Sequence, residues 1–197
     1  MTPPTSDRSG PGDPYRYRRG WSAAARMAAT QQVRVALSEG DDLIEVSERV
    51  MDLIRELLDA SRATVTLMRG DQYRDLVNVG ELYPGQERIP QHLIYPTSSF
   101  PAATARLLAH QGYISTNNEL DVVREYIAMA PEATVGCFMG VPIASAGAVL
   151  GELWALRAPE TPPFLPEDME MAMDFGTQFG SRLPELIDAR RATDPDW

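Results

Sequence analysis

The order of the predicted elements indicates an α/β fold in which helices enclose a central antiparallel sheet. Strand-like segments occur as two adjacent pairs, each joined by turn residues, over residues 62–80 and 136–157. Helical segments flank each pair, so helices can cover both faces of the sheet. The second pair is apolar along almost its whole length, which is typical of strands that are buried on both faces.

Length and composition are those of one soluble globular domain with tails. The chain has 197 residues, of which 44% are hydrophobic and 23% charged, so it can bury a substantial core. Its apolar runs are shorter than the roughly 20 residues of a membrane span. Residues 1–14 lack the apolar centre of a signal peptide. We therefore expect a cytoplasmic protein that does not associate with membranes.

The charge distribution disfavours nucleic acid as a partner. The formal net charge is −10, and residues 1–36 hold six Arg and two Asp, so the acidic excess lies in the rest of the chain. An acidic domain binds a phosphate backbone poorly, and the basic tail is expected to be solvated rather than a DNA-binding arm. All 18 basic residues are Arg, which excludes lysine-based Schiff-base chemistry.

The chain is predicted to divide into two tails, an N-terminal helix and one main domain. Residues 1–20 are rich in Pro, Gly, Ser and Arg, and we expect them to be disordered, as we expect of residues 189–197. Residues 21–38 carry a narrow, Ala-rich apolar stripe and are predicted to form a helix that serves interaction or dimerisation. The domain itself is expected over residues 39–188.

The first helix of the domain has the clearest pattern in the sequence. Asp42 is placed to cap it, and Glu45, three residues later, completes a capping box. Its apolar side chains form one face, namely Leu43, Val46, Val50, Ile54, Leu57 and Leu58. A hairpin follows over residues 62–80, with its turn at Gly70 and Asp71.

The middle of the chain is predicted to contain a long loop and a short helix. Residues 80–98 are polar and lack periodicity, so a loop is expected there. Ser98 or Ser99 is placed to cap a helix that has Pro101 in its first turn and runs to Gly112.

The last part of the chain is predicted to supply most of the sheet and its closing helix. A short strand is expected over residues 113–116 and a helix over 120–129. The apolar hairpin turns at residues 145–147, where a glycine supplies a positive φ. The final helix is expected from Pro166 through about Leu183.

The C-terminal half of the sequence resembles a GAF domain. Residues 140–180 show an apolar strand with a central Pro, a turn containing Gly, a second strand of the form apolar-Gly-x-Leu, and a helix opened by two acids. The element order over residues 41–183 is similar to that of the family. Leu165 stands where many members have a Ser or Thr cap, and this departure weakens the start of the last helix.

The resemblance implies a sensor rather than an enzyme. GAF domains mostly bind small molecules, among them cyclic nucleotides, amino or keto acids, haem and bilins. Their central antiparallel sheet has five or six strands. Terminal helices, which often dimerise, cover one face, and mid-chain helices and a loop close a pocket on the other. We accordingly expect a non-enzymatic signalling module for an unidentified small molecule, with output through a homodimer or a partner protein.

Two alternatives remain open beside the sensor. A few GAF proteins reduce free methionine sulfoxide, using cysteines and several pocket acids. The positions of those acids hold Phe138, Trp154 and Leu156 here, and the catalytic cysteine would fall near Pro131, so the resemblance disfavours a reductase. Redox catalysis through the single cysteine, Cys137, is the enzyme-class alternative. The other alternative is a ligand-free interaction module whose cavity is filled by its own Met and aromatic side chains.

The same comparison predicts which strand residues face the pocket. If Phe138, Trp154 and Leu156 point to the pocket, the two-residue period of a strand places Gly140 and Glu152 beside them. Glu152 is then a polar anchor in an apolar and aromatic cavity, as in many small-molecule sites. The alternative is that Glu152 lies at a sheet end, where it pairs with an Arg or reaches water.

Further ligand-binding residues are expected on the elements that roof the pocket. The candidates are Ser99, Phe100, Tyr113, Tyr126 and Met129. Each of them is also compatible with a core or capping role. No catalytic or metal-ligating residue is expected, and the cofactor is unknown. His92 is a lone loop histidine, His110 is expected at the surface, and a bilin thioether at Cys137 is disfavoured because its strand position faces away.

The N-terminal helix raises the question of assembly. Its stripe is narrow, and the sequence shows no obvious place for it in the monomer core. An isolated helix of this length is marginal in water, so it needs a surface to pack on. We expect the same helix of a second chain to provide that surface in a two-fold bundle. The alternative is that the helix folds back on its own domain.

Overall fold

The computed structural model describes residues 21–80, 94–115 and 136–194. Its helices are α1 (Ala23–Ser38), α2 (Leu43–Leu57), α3 (Pro101–Leu108) and α4 (Pro166–Thr193). Its strands are β1 (Arg62–Arg69), β2 (Gln72–Gly80), β3 (Ile94–Pro96), β4 (Tyr113–Ser115), β5 (Cys137–Ser145) and β6 (Ala148–Arg157). A short 3-10 turn, Thr97–Ser99, precedes α3. The helix predicted over residues 120–129 lies outside the described residues.

The strands form one antiparallel sheet, which confirms the predicted fold class. Within the described residues the sheet has six strands in the order β3-β2-β1-β6-β5-β4. Every neighbouring pair is antiparallel. The one correction concerns β3, which lies in the segment predicted as loop. Its register places Tyr95 opposite Tyr73 of β2, a pairing between distant segments that a local pattern does not reveal.

One face of the sheet is covered by the terminal helices, as predicted. The side chains on this face come from alternate positions of β5 and β6, namely Cys137, Met139, Val141, Leu153 and Ala155. They form one apolar core with the buried faces of α2 and α4. Among these strand residues the most exposed is Cys137, at 4% of its surface. The predicted alternation along the hairpin is therefore confirmed.

The starts of the helices follow the sequence signals only in part. Asp42 caps α2 as predicted, because its Oδ1 accepts the backbone N–H groups of Ile44 and Glu45 at 2.9 and 3.0 Å. Neither Ser98 nor Ser99 caps α3, and Phe100 occupies that position without a side-chain hydrogen bond. The serines lie in the preceding 3-10 turn instead.

Both ends of the last helix differ from expectation. Leu165 cannot cap α4, but Asp168 Oδ2 accepts its backbone N–H at 3.0 Å and compensates for the missing Ser or Thr. The helix continues past Leu183 to Thr193, so residues 189–193, predicted to be a disordered tail, are helical. Pro184 does not end the helix, since Leu186 on the following turn is buried in the apolar core. Tertiary packing here outweighs the helix-breaking tendency of proline.

The N-terminal helix has a place in the monomer, contrary to expectation. Helix α1 packs on α2 and α4 of the same chain, and its Ala29, Val33, Ala36 and Leu37 belong to the main core. Small side chains along its stripe bring it close to both helices. Arg26 adds ion pairs to α4, with acidic oxygens at 2.9 and 3.2 Å. The folded-back arrangement is therefore the one that the structure shows.

The fully buried side chain of Arg157 connects the end of β6 to the C-terminal end of α2 and to the start of α4. The Arg157 guanidinium donates to the carbonyls of Leu58, Asp59, Pro162 and Pro163 at 2.6–3.3 Å. It also bonds Asp168 Oδ2 at 3.2 Å. Its carbon lies 4.0 Å above the centre of the Phe164 ring. The charge is therefore both paired and surrounded by acceptors, which is what makes its burial tolerable.

We predict that Arg157→Ala lowers the free energy of unfolding by about 3–5 kcal/mol, because it leaves the Asp168 carboxylate and several carbonyls without their donor. Urea unfolding of the full chain measures this change. The matched control is Arg106→Ala, which removes an exposed arginine of α3 and should leave the unfolding midpoint almost unchanged. Equal effects of the two substitutions would contradict the role given to Arg157.

Candidate functional site

The second face of the sheet, opposite α2 and α4, is polar, and we call it the polar face. Its polar members are Arg62, Thr64, Thr66, Tyr73, Asp75, Asn78, Tyr95, Tyr113, Ser115 and Glu152. Its remaining members include Phe138, Gly140, Trp154 and Leu156. Most of these side chains are buried, including the carboxylates of Asp75 and Glu152, which are 8% and 7% exposed. A buried sheet face with this many polar groups differs sharply from the apolar core on the other side.

Glu152 occupies the centre of this face. It lies within β6, opposite Thr66 of β1 and Pro142 of β5. Its Oε1 accepts a hydrogen bond of 2.6 Å from the hydroxyl of Tyr113. The position is interior to the sheet rather than at its end, and the partner within the described residues is a phenol rather than an Arg. Burial raises the pKa of Glu152 to about 7, the bond from Tyr113 lowers it, and the charge of Asp75 raises it.

The contact between Glu152 and Tyr113 depends on a glycine. Tyr113 is on β4 and Glu152 on β6, so their side chains meet across β5, above Gly140. A Cβ at Gly140 would lie 2.2 Å from Glu152 Oε1 and 2.4 Å from Tyr113 Cζ, well inside contact distance. The absence of a side chain at this position therefore creates the space in which the carboxyl and the phenol pair.

Asp75 forms a second polar centre that the sequence reasoning missed. Its Oδ1 accepts from Thr66 Oγ1 at 2.8 Å and from the Tyr95 hydroxyl at 3.3 Å. Burial raises the pKa of this carboxyl, while these hydrogen bonds, the charge of Arg62 and a bond from Asn78 act in the opposite direction. The alternation of Tyr73 and Asp75 in β2 was the available signal, because two-residue spacing places both on one face.

The two carboxyls stand in one row across the sheet. Thr66 of β1 is in register with Asp75 on one side and with Glu152 on the other. The backbones that carry the acids are thus two strand spacings apart, about 10 Å. Both carboxyls are buried, and the charge of Asp75 raises the pKa of Glu152. The charge of any group that binds beside them would therefore strongly affect its affinity.

Aromatic side chains frame this row on both sides. Phe138 and Trp154 pack with ring centres 5.8 Å apart, and Trp154 remains partly exposed. On the other side, Tyr95 contacts Tyr73 and Phe100 with ring centres 5.4 and 5.3 Å away. Helix α3 covers this second group through Ala103 and Leu107. The polar face therefore has a hydrophobic frame around its charged centre.

The predicted site residues divide into three groups. Phe138, Gly140, Tyr113, Glu152, Trp154 and Leu156 share the polar face, so the structure brings them together. Phe100 packs on Tyr95 at the edge of this group, and Ser99 lies half-buried in the 3-10 turn. Tyr126, Met129 and His92 lie outside the described residues.

The cysteine and the second histidine are placed away from the polar face. Cys137 lies on the face covered by the terminal helices and belongs to their core. Burial raises the pKa of its thiol, and the charge of Asp168 adds to this, whereas a backbone bond at Phe164 lowers it. His110 is exposed just beyond α3, with a positive φ of 56°. Across the described ranges no group of three or more potential ligands could hold a metal ion.

The chain belongs to the GAF domain family, whose model matches residues 42–183. The members of this family are generally sensory or regulatory modules. No curated protein matches the sequence at a significant level. In the parts of the chain that the structure describes, no helix is long and apolar enough to cross a membrane.

Solved structures with the same fold include the GAF domain of an Acinetobacter phosphoenolpyruvate-protein phosphotransferase. It is 12% identical with a TM-score of 0.65, and the match covers 89% of this chain and 100% of that one. The phycoerythrobilin-bound GAF domain of a cyanobacterial phytochrome is 12% identical with a TM-score of 0.66, covering 84% and 97%. The chromophore-binding domain of an R. palustris bacteriophytochrome is 14% identical with a TM-score of 0.65, covering 88% and 64%. Identities this low establish the fold alone.

We predict that stability falls as the pH rises from about 4.5 to about 7. The unfolded chain ionises Glu152 near 4.5 and the folded chain near 7, so the unfolded state binds fewer protons in this window. The loss attributable to Glu152 is on the order of 3 kcal/mol and levels off above pH 7. Urea unfolding at a series of pH values measures it.

Glu152→Gln should make this pH dependence shallower. It should not abolish it, because the raised pKa of Asp75 contributes a slope of the same sign. The control is Glu160→Gln, which changes an exposed acid just beyond β6 and should keep the wild-type slope. A Glu152→Gln profile that matches the wild type would contradict the buried titration.

Proposed function

We propose that the chain is a non-enzymatic sensor that binds a small molecule on the polar face. The observation that carries this proposal is Glu152, a carboxyl only 7% exposed whose one hydrogen-bond partner within the described residues is Tyr113. A buried carboxyl with so few partners lowers the stability of the fold, which is the kind of cost that a binding role accounts for. Convergent polar groups inside a largely apolar frame are typical of small-molecule sites. The bilin-bound GAF domain among the neighbours supports a ligand on this fold.

The non-enzymatic assignment is supported by the position of the single thiol. A catalytic cysteine requires exposure and a lowered pKa. Cys137 is 4% exposed, packs in the core of the opposite sheet face, and has a raised pKa. The positions that carry acids in the reductase branch hold Phe138, Trp154 and Leu156, which are apolar. We place the protein in the cytoplasm, where such a thiol stays reduced.

The experiment that tests ligand binding is extraction of the purified full-length protein followed by mass spectrometry. We expect a stoichiometric small molecule, and removing it should shift the fluorescence of Trp154, which is partly exposed on the polar face. Trp154→Phe is the control, because it leaves Trp21 and Trp197 and should abolish the shift. A protein that yields no small molecule and shows no shift would favour the ligand-free interaction module instead.

We further propose that the output passes through a homodimer or a partner protein at the outer surface of α1. Met27 and Val35 of this helix expose 68% and 46% of their surface, although the inner side of α1 is well packed. A groove of about 530 Å³ runs between α1 and Asp174 of α4 and includes Met27. Arg26 and Arg34 of α1 and Asp174 of α4 line it, and this mixture of charges suits a two-fold contact between identical surfaces.

We predict that Met27→Glu converts the dimer to a monomer in light scattering at micromolar concentration. The substitution places a charge at Met27, the large apolar side chain of the groove, without touching the core. Leu108→Glu is the matched control, because Leu108 is 57% exposed on α3, on the other side of the molecule. Deletion of α1 is unsuitable as a test, since it would also remove buried core residues. A monomeric wild-type protein would refute the homodimer.

A further inference from the structure

We propose that the polar face selects a ligand with a protonated amine next to an aromatic ring, and that Glu152 is the counter-ion of that amine. This inference rests on the proposed function, because it names the ligand class of the same site. The proposed function leaves the charge of the ligand open, whereas this inference specifies a cationic ligand. Three features of the polar face support an amine ligand: the distribution of donors around the two buried acids, an unpartnered hydroxyl, and the aromatic pair.

The two acids differ in how well the protein supplies them with donors. Asp75 receives hydrogen bonds from Thr66 and Tyr95 and lies in the field of Arg62. Glu152 accepts one hydrogen bond, from Tyr113, within the described part of the chain. A carboxylate has about four acceptor positions, so most of the capacity of Glu152 is unused. An ammonium group supplies both the missing donors and the missing positive charge.

A second polar group on this face is also without a partner. Ser115 is completely buried, and its Oγ has no hydrogen-bond partner among the described residues. It lies on β4 two residues beyond Tyr113, and therefore on the same side of the sheet. It is in register with Phe138, at the aromatic end of the site, about 13 Å along the strands from the row of Glu152. A buried hydroxyl without a partner costs free energy, and a polar group of a ligand would relieve that cost. Ser115 thus points to a ligand independently of the acids.

The aromatic pair is placed to hold the remainder of such a ligand. Trp154 is two residues from Glu152 on the same face of β6, which is about 7 Å along the strand. Phe138 packs against it and extends the apolar surface over β5. An aromatic ring joined to an amine by a short alkyl chain spans this distance. The ring then stacks near Trp154 while the ammonium group reaches Glu152, and Trp is also the best cation–π partner.

An anionic ligand does not fit the same position. A carboxylate or phosphate beside Glu152 would add a third negative group to a buried row that already holds Asp75. Within the described residues the buried cation of this face is Arg62, whose backbone is four residues from Thr66 along β1, about 13 Å away. Its positive charge acts on Asp75. The electrostatics around Glu152 therefore favour a cation.

The test uses three probes with the same ring and different charge: phenethylamine, phenethyl alcohol and 3-phenylpropionate. Calorimetry on the full-length protein at pH 7.5 should show phenethylamine binding at least about tenfold more tightly than either of the others. Glu152→Gln should abolish this preference and keep the fold, and Glu160→Gln should retain it. The affinity for phenethylamine should also rise from about pH 6 to about 8 in the wild type only, because the carboxyl must lose its proton to act as counter-ion.

Each outcome of this test decides between the two proposals. Equal or tighter binding of the alcohol or the acid would overturn the amine assignment while leaving ligand binding intact. If none of the probes binds, the chemical identity of the molecule released from the purified protein tests the amine assignment. A released compound with a protonated amine supports the assignment, and one without a cationic group overturns it. Absence of both probe binding and a released compound would overturn the proposed function as well.

Discussion

The buried guanidinium of Arg157 is the constraint on which the arrangement of the domain depends. It ties the end of α2, the loop before α4 and Asp168 at the start of α4 to the last residue of β6. Because Arg157 points to the helix face, strand alternation places Glu152 and Trp154 on the polar face. A one-residue shift in the register of β6 would turn the carboxyl of Glu152 into the apolar core. Arg157 therefore also fixes which face of the sheet Glu152 occupies.

The two faces of the sheet follow different physical rules. The helix face is stabilised by removal of apolar surface from water, and the buried charge of Arg157 is paired there with Asp168. The polar face keeps two acids and several phenols out of water, at a cost that hydrogen bonds offset for Asp75 more fully than for Glu152. In the proposed function, that unequal compensation is what distinguishes the polar face from a second core.

Strand β5 lies between the proposed site on the polar face and helix α4 on the other face. On the polar side, Gly140 leaves room for Glu152 and Tyr113 to meet above the strand. On the helix side, a Cβ at Gly180 of α4 would lie 2.1 Å from the carbonyl oxygen of Ala144, so helix and strand backbones are in direct contact. In the proposed function, the connection from Glu152 to the outer surface runs across β5 to α4 and from α4 to α1, which packs on it.

Local patterns in the sequence determined the hairpins, the cap and apolar face of α2, and the alternation that puts Glu152 and Trp154 together. They sufficed because these features depend on residues a few positions apart. Tertiary structure alone decided the place of α1, the continuation of α4 through Pro184, and the pairing of Asp75 with Thr66 and Tyr95. It also decided that the partner of Glu152 is Tyr113, 39 residues away. Such contacts join distant segments whose packing energy outweighs local preference, so a local pattern cannot reveal them.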